Sequence, residues 1–209
     1  MYIPPAFKDD DVENIRATIR DARLANLVTA TAEGPVATPM PLFLDDTEGE
    51  QGTLYGHLAR ANPQWRLPPI GDALAIFTGP EAYVTPSWYA TKQETGKVVP
   101  TWNYIAVHAY GPVEFFAEPE RLLDVVTRLT NKHEGSRAKS WAVTDAPADF
   151  IAAQLRGSVG VRIPVVRFEG KRKMSQNRPE ADRVGVAAGL AESDSPQDRQ
   201  VAPLIQIPV

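Results

Sequence analysis

The chain has 209 residues, of which 43% are hydrophobic and 23% are charged, which is typical of one folded domain with terminal additions. It contains no cysteine, so disulfides, thiolate metal sites and cysteine nucleophiles are excluded. The formal net charge is −4, and this overall negative charge does not favour binding to nucleic acid. The sequence has no apolar run of transmembrane length, and its acidic start is unlike a signal peptide, so we expect a cytoplasmic protein and no membrane partner.

The first part of the chain predicts a helix followed by strands. Residues 9–23 have an acidic first turn and apolar residues at helical spacing. Residues 26–46 predict a β-hairpin that turns at Gly34. Because Pro39 and Pro41 cannot donate to a strand ladder, they predict an edge strand or an interrupted one. Its carbonyl groups are then free either to face a ligand or to lie at a plain sheet edge.

The next segments predict more strands and one anion site. Residues 53–59 predict a strand, which leads into a polar turn and a short helical segment. Arg60 lies at that junction, where a guanidinium and backbone N–H groups could hold a phosphate, although an arginine at a turn is more often solvated. Residues 72–79 predict a strand, Gly79 and Pro80 a turn, residues 82–88 a returning strand, and residues 91–97 a polar loop.

Residues 100–113 predict the strand around which the chain is organised. Alternation places Trp102, Tyr104, His108 and Tyr110 on one face, and Ile105, Val107 and Ala109 on the other. The second face is ordinary core. A row of large aromatic side chains with N–H and O–H groups indicates a flat aromatic ligand, a subunit interface, or both.

The last part of the chain predicts three helices and one strand. Pro119 opens a helix at residues 118–135 that packs through Leu122, Val126 and Leu129, and a helix at residues 147–157 packs through Phe150, Ile151 and Leu155. Residues 159–174 predict one strand, and residues 175–193 a turn and a last helix. We assign residues 1–190 to one domain and residues 191–209 to a polar tail. Strands in meander order with appended helices favour an antiparallel barrel.

Standard catalytic and metal motifs are absent from the sequence. The three histidines are His57, His108 and His133, and their spacing fits no helical metal site, so we expect no metal centre. Hydrolase and phosphotransfer motifs are also absent. Two basic clusters, at residues 128–139 and 171–178, are read as solvated surface or small-anion sites. The pattern that remains is a ligand with a flat ring and an anionic tail, in which Trp102, Tyr104 and His108 flank the ring and Arg60, Lys173 and Arg178 neutralise the tail.

Five motifs then identify a family. MYIPPAF, RANPQW, GPEAYVTPSWY, VPTWNY and KMSQNR occur in this order between residues 1 and 178. Together they closely resemble the PaiB-type family of FMN-binding negative transcriptional regulators. The resemblance implies a mainly β (α+β) fold, a split antiparallel β-barrel of the pyridoxamine phosphate oxidase type with peripheral helices. It also implies a homodimer with FMN at the subunit interface and a role in repressing genes.

The resemblance also implies a set of cofactor-binding residues. His57, Arg60 and Asn62 would lie at the end of the strand that holds the flavin phosphate, and Thr38 and Met40 on the strand that passes the edge of the isoalloxazine ring. Trp102 and Asn103 would come from the second half of the site. The residues that would close the site are Lys173, Gln176 and Asn177.

The sequence departs from strong flavin enzymes of this superfamily in lacking their dense phosphate-binding cluster. This departure predicts that FMN binds weakly or is absent from the purified protein. Alternative functions are an NAD(P)H-dependent flavin reductase, a small-molecule oxidase, and a heme-binding split barrel with His108 or His133 as the ligand. Direct DNA binding is weakly supported, because no helix-turn-helix spacing is present.

Overall fold

A computed structural model describes residues 1–207. In chain order, the strands are β1 (Lys8–Asp9), β2 (Ala25–Thr31), β3 (Gly34–Met40), β4 (Leu42–Asp45), β5 (Thr53–Ala59), β6 (Ala73–Val84), β7 (Thr101–Gly111), β8 (Glu114–Phe116), β9 (Ser158–Pro164) and β10 (Arg167–Lys173). The α-helices are α1 (Val12–Asp21), α2 (Ala90–Thr95), α3 (Pro119–Glu134), α4 (Ala148–Arg156), α5 (Glu180–Ala191) and α6 (Pro196–Val201).

The chain forms two compact units. Unit 1 contains Met1–Thr18, Thr78–Val107 and the chain from Glu169 onward, and unit 2 contains Ile19–Phe77 and His108–Phe168. Helix α1 and strands β6, β7 and β10 each contribute residues to both units. The predicted extent of the domain, residues 1–190, stays a prediction.

Unit 2 is built on antiparallel strands. Its four-stranded sheet has the order β4-β5-β9-β8, and β2 pairs with β3 and with the first part of β6. The predicted hairpin is confirmed, with Gly34 at a φ of +114° in its turn. Strand β3 is at the edge of its sheet and Pro41 separates it from β4, as the two prolines predicted.

Helices α3 and α4 bury one face each in unit 2. Leu122, Val125 and Leu129 of α3 pack with Leu155 of α4 in a core cluster that also contains two phenylalanines. Val126 is only partly buried in that cluster. The prediction that Phe150 packs into the core is wrong: its side chain is 54% exposed. The reason is the phase of the helix, which turns Leu155 inward and Phe150 outward.

Unit 1 has the strand order β1-β10-β7-β6. Its core cluster joins strand residues such as Val84 and Ile105 with Val186 and Leu190 of α5. Val201 and Ile205, from the predicted polar tail, are buried in the same cluster. That tail therefore docks through apolar side chains over the described residues, while Pro208 and Val209 lie outside them.

The predicted turn at Gly79 and Pro80 is wrong, because β6 runs through both residues. A Cβ on Gly79 would lie 2.9 Å from the Cβ of Ile105, so this glycine allows two strands to approach closely and does not reverse the chain. The predicted single strand at 159–174 is instead β9 and β10, separated by Val165 and Val166.

The predicted polar loop at 91–97 is also wrong, because residues Ala90–Thr95 form helix α2. The Asp182 carboxylate accepts hydrogen bonds from the backbone N–H and the hydroxyl of Thr91, at 2.9 and 3.0 Å. This cap comes from a residue 91 positions away, which no local pattern contains. Within residues 1–207, none of the helices is both long and apolar enough to cross a bilayer.

Candidate functional site

Arg60 follows β5 in unit 2 and is held by backbone carbonyl groups. Its Nε donates to the carbonyl oxygen of Arg156 at 2.6 Å, and its Nη2 donates to that of Ser158 at 2.9 Å. The backbone N–H of Arg60 donates to Gly157, so the turn between α4 and β9 is fixed against the end of β5. Two of the guanidinium nitrogens are therefore used inside the fold, and the remaining edge is what a phosphate could meet.

Asn62 and Gln64 bind the neighbouring β-hairpin. The Asn62 amide donates to the Thr38 hydroxyl at 2.9 Å and its carbonyl oxygen caps the 3-10 helix Pro63–Arg66. Gln64 is fully buried, and its Nε2 lies within hydrogen-bonding distance of Leu27 O, Thr29 Oγ1 and Val36 O. The RANPQW motif therefore ties its turn to β2 and β3.

His57 and Met40 lie within unit 2, with His57 partly buried and Met40 buried. Met40 is 2% exposed, and its terminal methyl lies against Gly56. His57 is half-buried, and its Nδ1 is buried with no hydrogen-bond partner. Burial lowers the pKa of the His57 imidazole below its ordinary value of 6.5, so the ring is neutral at neutral pH.

Unit 1 presents an aromatic surface on β6 and β7. Trp102 is 52% exposed and Tyr83 is 45% exposed. Their rings meet edge to face, with centroids 6.0 Å apart and an interplanar angle of 71°. The alternation predicted for β7 is confirmed, because Trp102 is exposed and Tyr104, His108 and Tyr110 are partly exposed, while Ile105, Val107 and Ala109 are buried.

Cationic side chains adjoin this surface within unit 1. The Lys173 ammonium donates to the Thr101 hydroxyl and, at 2.8 Å, to the Trp102 carbonyl oxygen. The Lys171 ammonium lies 5.0 Å from the centre of the Tyr104 ring. Burial, together with the positive charges of Lys171 and Arg178, lowers the pKa of the Lys173 ammonium. An anion beside these groups would relieve their repulsion.

The KMSQNR segment forms a tight turn after β10. Ser175 has a φ of +60°, a region unusual for a residue other than glycine, and its hydroxyl exchanges hydrogen bonds with the buried Asn103 amide. Gln176 spans the turn, since its amide accepts from Met174 N and donates to Arg172 O. Asn177 is exposed. Asn103 and Gln176 therefore hold the turn in shape, with Lys173 at its start.

The structure groups the predicted residues into two sets. Thr38, Met40, His57, Arg60 and Asn62 belong to unit 2, whereas Trp102, Asn103, Lys173, Gln176 and Asn177 belong to unit 1. Within the set from unit 2, Asn62 is hydrogen-bonded to Thr38. Within the set from unit 1, Lys173 is hydrogen-bonded to the backbone of Trp102.

Sequence reasoning missed two members of the aromatic and cationic surface. Tyr83 was read as part of a returning strand, and Lys171 as part of a general basic cluster. Period-two alternation along residues 82–84 would have placed Tyr83 on the exposed face. No local signal pairs Lys171 with Tyr104.

The remaining histidines give no metal cluster. His108 Nδ1 is 3.4 Å from the Tyr110 hydroxyl, and the two rings meet edge to face. His133 is exposed near the end of α3. In the part of the chain that the structure describes, no group of three or more His, Cys, Asp or Glu side chains is placed to hold a metal ion.

Comparison with known sequences identifies relatives over the full chain. Residues 1–167 match the family described as "Putative FMN-binding domain". The Bacillus subtilis (strain 168) "Protease synthase and sporulation protein PAI 2" is 33% identical over 207 residues, covering 99% of this chain and 97% of that protein. An uncharacterized protein of Emericella nidulans is 30% identical over 243 residues, covering 99% of this chain and 96% of that protein.

Comparison with solved structures confirms the predicted fold class. The flavocytochrome Anf3 from Azotobacter vinelandii superposes with a TM-score of 0.59 at 13% identity, covering 79% of this chain and 69% of that one. The FAD and heme binding protein from Mycobacterium smegmatis superposes with a TM-score of 0.57 at 14% identity, covering 79% and 73%. The fold is mainly β with added helices, of the split antiparallel barrel type. The family match and the full-length relative confirm what the five motifs indicate, and the chain belongs to the PaiB-type family of FMN-binding proteins.

Proposed function

We propose that the protein is a homodimeric regulator that binds FMN at its subunit interface. The FMN-binding family and the flavin-binding structural neighbours support a flavin cofactor. The similarity to a Bacillus subtilis protein named for protease synthesis and sporulation supports a regulatory role. FMN combines a flat ring with a dianionic phosphate, which is the ligand class that the sequence pattern predicts.

One observation carries the proposal: an exposed aromatic pair adjoins a cluster of cations that repel each other. Trp102 and Tyr83 offer ring surface for stacking, and Lys171, Lys173 and Arg178 offer positive charge. Stacking of a base on an aromatic side chain contributes about 1–3 kcal/mol. A hydrogen bond to a charged group contributes roughly 1.5–3 kcal/mol. The residues of unit 1 therefore fit both parts of FMN.

The contacts expected in unit 2, with Arg60 at the phosphate and Thr38 and Met40 at the edge of the ring, stay predictions, and they are tested separately from those of unit 1. When bound, the isoalloxazine ring supplies the capacity to accept electrons or a hydride. The protein residues bind the cofactor, orient it and balance its charge.

The proposal of a dimer interface follows from the exposed apolar side chains of unit 1. Trp102, the second residue of β7, is 52% exposed, and Val99, two residues before this strand, is 65% exposed. Exposed apolar groups that lie close together mark surfaces for partners or ligands. A second subunit that covers Trp102 would bury this surface and enclose a bound flavin at the same place.

FMN titration followed by flavin fluorescence quenching tests the site. We expect Trp102→Ala to weaken FMN binding about tenfold, which corresponds to one lost stacking contact. Lys173→Gln should weaken it by a similar factor. Trp141→Ala is the matched control, because Trp141 is 48% exposed and belongs to unit 2. Equal titration curves for wild type and Trp102→Ala would show that the aromatic surface is not part of the FMN site.

Two further measurements separate the parts of the proposal. Sedimentation velocity at several concentrations should show a dimer that Trp102→Ala weakens and Trp141→Ala leaves intact. Stopped-flow mixing with NADH or NADPH tests the reductase alternative. Rapid reduction of the bound flavin would show that the protein is an enzyme and not a regulator. If the flavin is not reduced, flavin binding itself is the step by which the regulator senses its signal.

A further inference from the structure

A cavity of about 520 Å³ that is open to solvent lies in unit 2 between helices α3 and α4, and five of its ten lining residues are exposed. The 3-10 helix Val143–Asp145 contributes residues to its wall. Pockets that bind small molecules commonly have volumes of about 300–1,000 Å³. This cavity is therefore large enough for a ligand of the size of a small metabolite.

The lining of the cavity is apolar and uncharged. Its larger apolar side chains are those of Leu123, Val143, Ile151 and Leu155. Val143 and Leu155 are buried, whereas Leu123 is 39% exposed. None of the ten described residues that line the cavity carries a charge. A charged ligand would lose its hydration here without gaining an opposite charge, so the lining favours a neutral one.

Small side chains form part of the cavity wall. Three of the ten lining residues are alanines, Ala142, Ala148 and Ala152, so part of the wall carries only methyl groups. A larger side chain at one of these positions would occupy part of the cavity volume.

Polar groups in the lining limit the ligand further. The Thr127 hydroxyl donates to the Leu123 carbonyl oxygen at 2.7 Å, so toward the cavity it can act only as an acceptor. Asn131 and Thr144 add an amide and a hydroxyl. A molecule that is mainly apolar and carries one or two hydrogen-bonding groups matches this arrangement.

From this geometry we infer that the protein has a second ligand site, for a neutral and largely apolar small molecule, between α3 and α4. The chemistry differs from that of the proposed flavin site, because FMN carries a phosphate and this cavity has no cation in its lining. A ligand that fills the cavity would bind the folded state and stabilise it according to its concentration relative to its dissociation constant. The site gives the protein a way to respond to an apolar metabolite.

The neutral fluorescent probe N-phenyl-1-naphthylamine tests this site on the full chain. It has two aromatic rings and one N–H donor that suits the Thr127 acceptor. We expect saturable fluorescence enhancement with one probe per chain. Ala152→Leu should weaken binding at least tenfold by filling the cavity. Ala148→Leu, from the first turn of α4, is the second variant if Ala152→Leu does not fold.

Ala153→Leu is the matched control, since it makes the same change on the same helix at an exposed position outside the lining. It should leave the dissociation constant of the probe within twofold of wild type. FMN at saturation should also leave it within twofold. These two results would separate the cavity from the proposed flavin site.

Four outcomes would overturn the inference. One is enhancement that does not saturate, and another is an equal effect of Ala152→Leu and Ala153→Leu. Competition between FMN and the probe would assign the binding to the flavin site. A dimer that Ala152→Leu strengthens or weakens in sedimentation would assign the cavity to a contact between two copies of the chain, and this result would overturn the inference as well.

Discussion

In both sets of predicted site residues the fold already uses polar side chains, but only the set in unit 1 carries an exposed aromatic side chain. In unit 2, Arg60 and Asn62 form hydrogen bonds with neighbouring backbone and side chains. In unit 1, Trp102 is half-exposed and Lys173 lies among like charges. The comparison shows that residues grouped by one family resemblance can be held within the fold in one unit and include an exposed aromatic side chain in the other.

Gln64→Leu should have the largest effect on stability. The substitution leaves the Thr29 hydroxyl and the Leu27 and Val36 carbonyl groups without their amide donor inside unit 2. We expect the free energy of unfolding to fall by about 3 kcal/mol, as measured by urea denaturation. Gln93→Leu, at an exposed position of α2, should change it by about 0.5 kcal/mol or less. Similar values for the two variants would contradict a structural role for the RANPQW turn.

Arg60→Ala separates the structural role of this residue from its proposed phosphate contact. Loss of the bonds to Arg156 and Ser158 should lower the free energy of unfolding by about 2 kcal/mol. Arg66→Ala is the control, because Arg66 is exposed and its guanidinium carbon lies 5.0 Å from the Trp65 ring centre. FMN titration of the same variants gives the second readout. A variant of normal stability that has lost FMN binding would show Arg60 to be a ligand contact and not a clamp.

His57 should make stability depend on pH near neutrality. Burial lowers the pKa of its ring in the folded state, so the unfolded state binds more protons as the pH falls through about 6.5. Stability should therefore decrease between about pH 7.5 and pH 5.5. His57→Gln should reduce this slope, whereas His133→Gln, at an exposed position, should keep it. Denaturant unfolding at several pH values measures both, and an unchanged slope in His57→Gln would refute the assignment.

The acidic range tests a different part of unit 2. Hydrogen bonds from Thr47 and Arg128 lower the pKa of the Asp45 carboxyl to about 2. The stability that this carboxylate contributes is present above its ordinary pKa of 3.8 and is lost as the pH falls toward 2. Because this range lies well below that of His57, the two effects can be measured separately on one chain.

Trp102→Ala should have the smallest effect on stability and a large effect on binding. Its ring is 52% exposed and contacts Tyr83 edge to face, so we expect a loss of about 1 kcal/mol or less at a fixed protein concentration. Trp141→Ala should lower the free energy of unfolding by a similar amount in urea denaturation, and it should leave FMN binding intact. A loss of 3 kcal/mol for Trp102→Ala would show that the aromatic surface belongs to the core, and the contrast between the units would then fail.

Much of the fold follows from local patterns. The alternation along β7, the hairpin around Gly34 and the position of Pro119 at the start of α3 each depend on residues within one element. Side chains repeat every two residues in a strand and every 3.6 in a helix, so their burial is encoded locally. Each family motif is also a continuous stretch of sequence, and together the motifs predicted the fold class and a flavin cofactor.

Contacts between distant residues decided the rest. Helix α2 exists where a polar loop was predicted because Asp182 caps it from 91 residues away. Gly79 continues a strand because Ile105 leaves no room for a side chain. The sequence alone determined which residue types could contact the ring and the phosphate of a flavin. Only the tertiary structure decided that Arg60 and Gln64 are used by hydrogen bonds within the fold while Trp102 remains exposed, because hydrogen-bond partners and burial are properties of the packed chain.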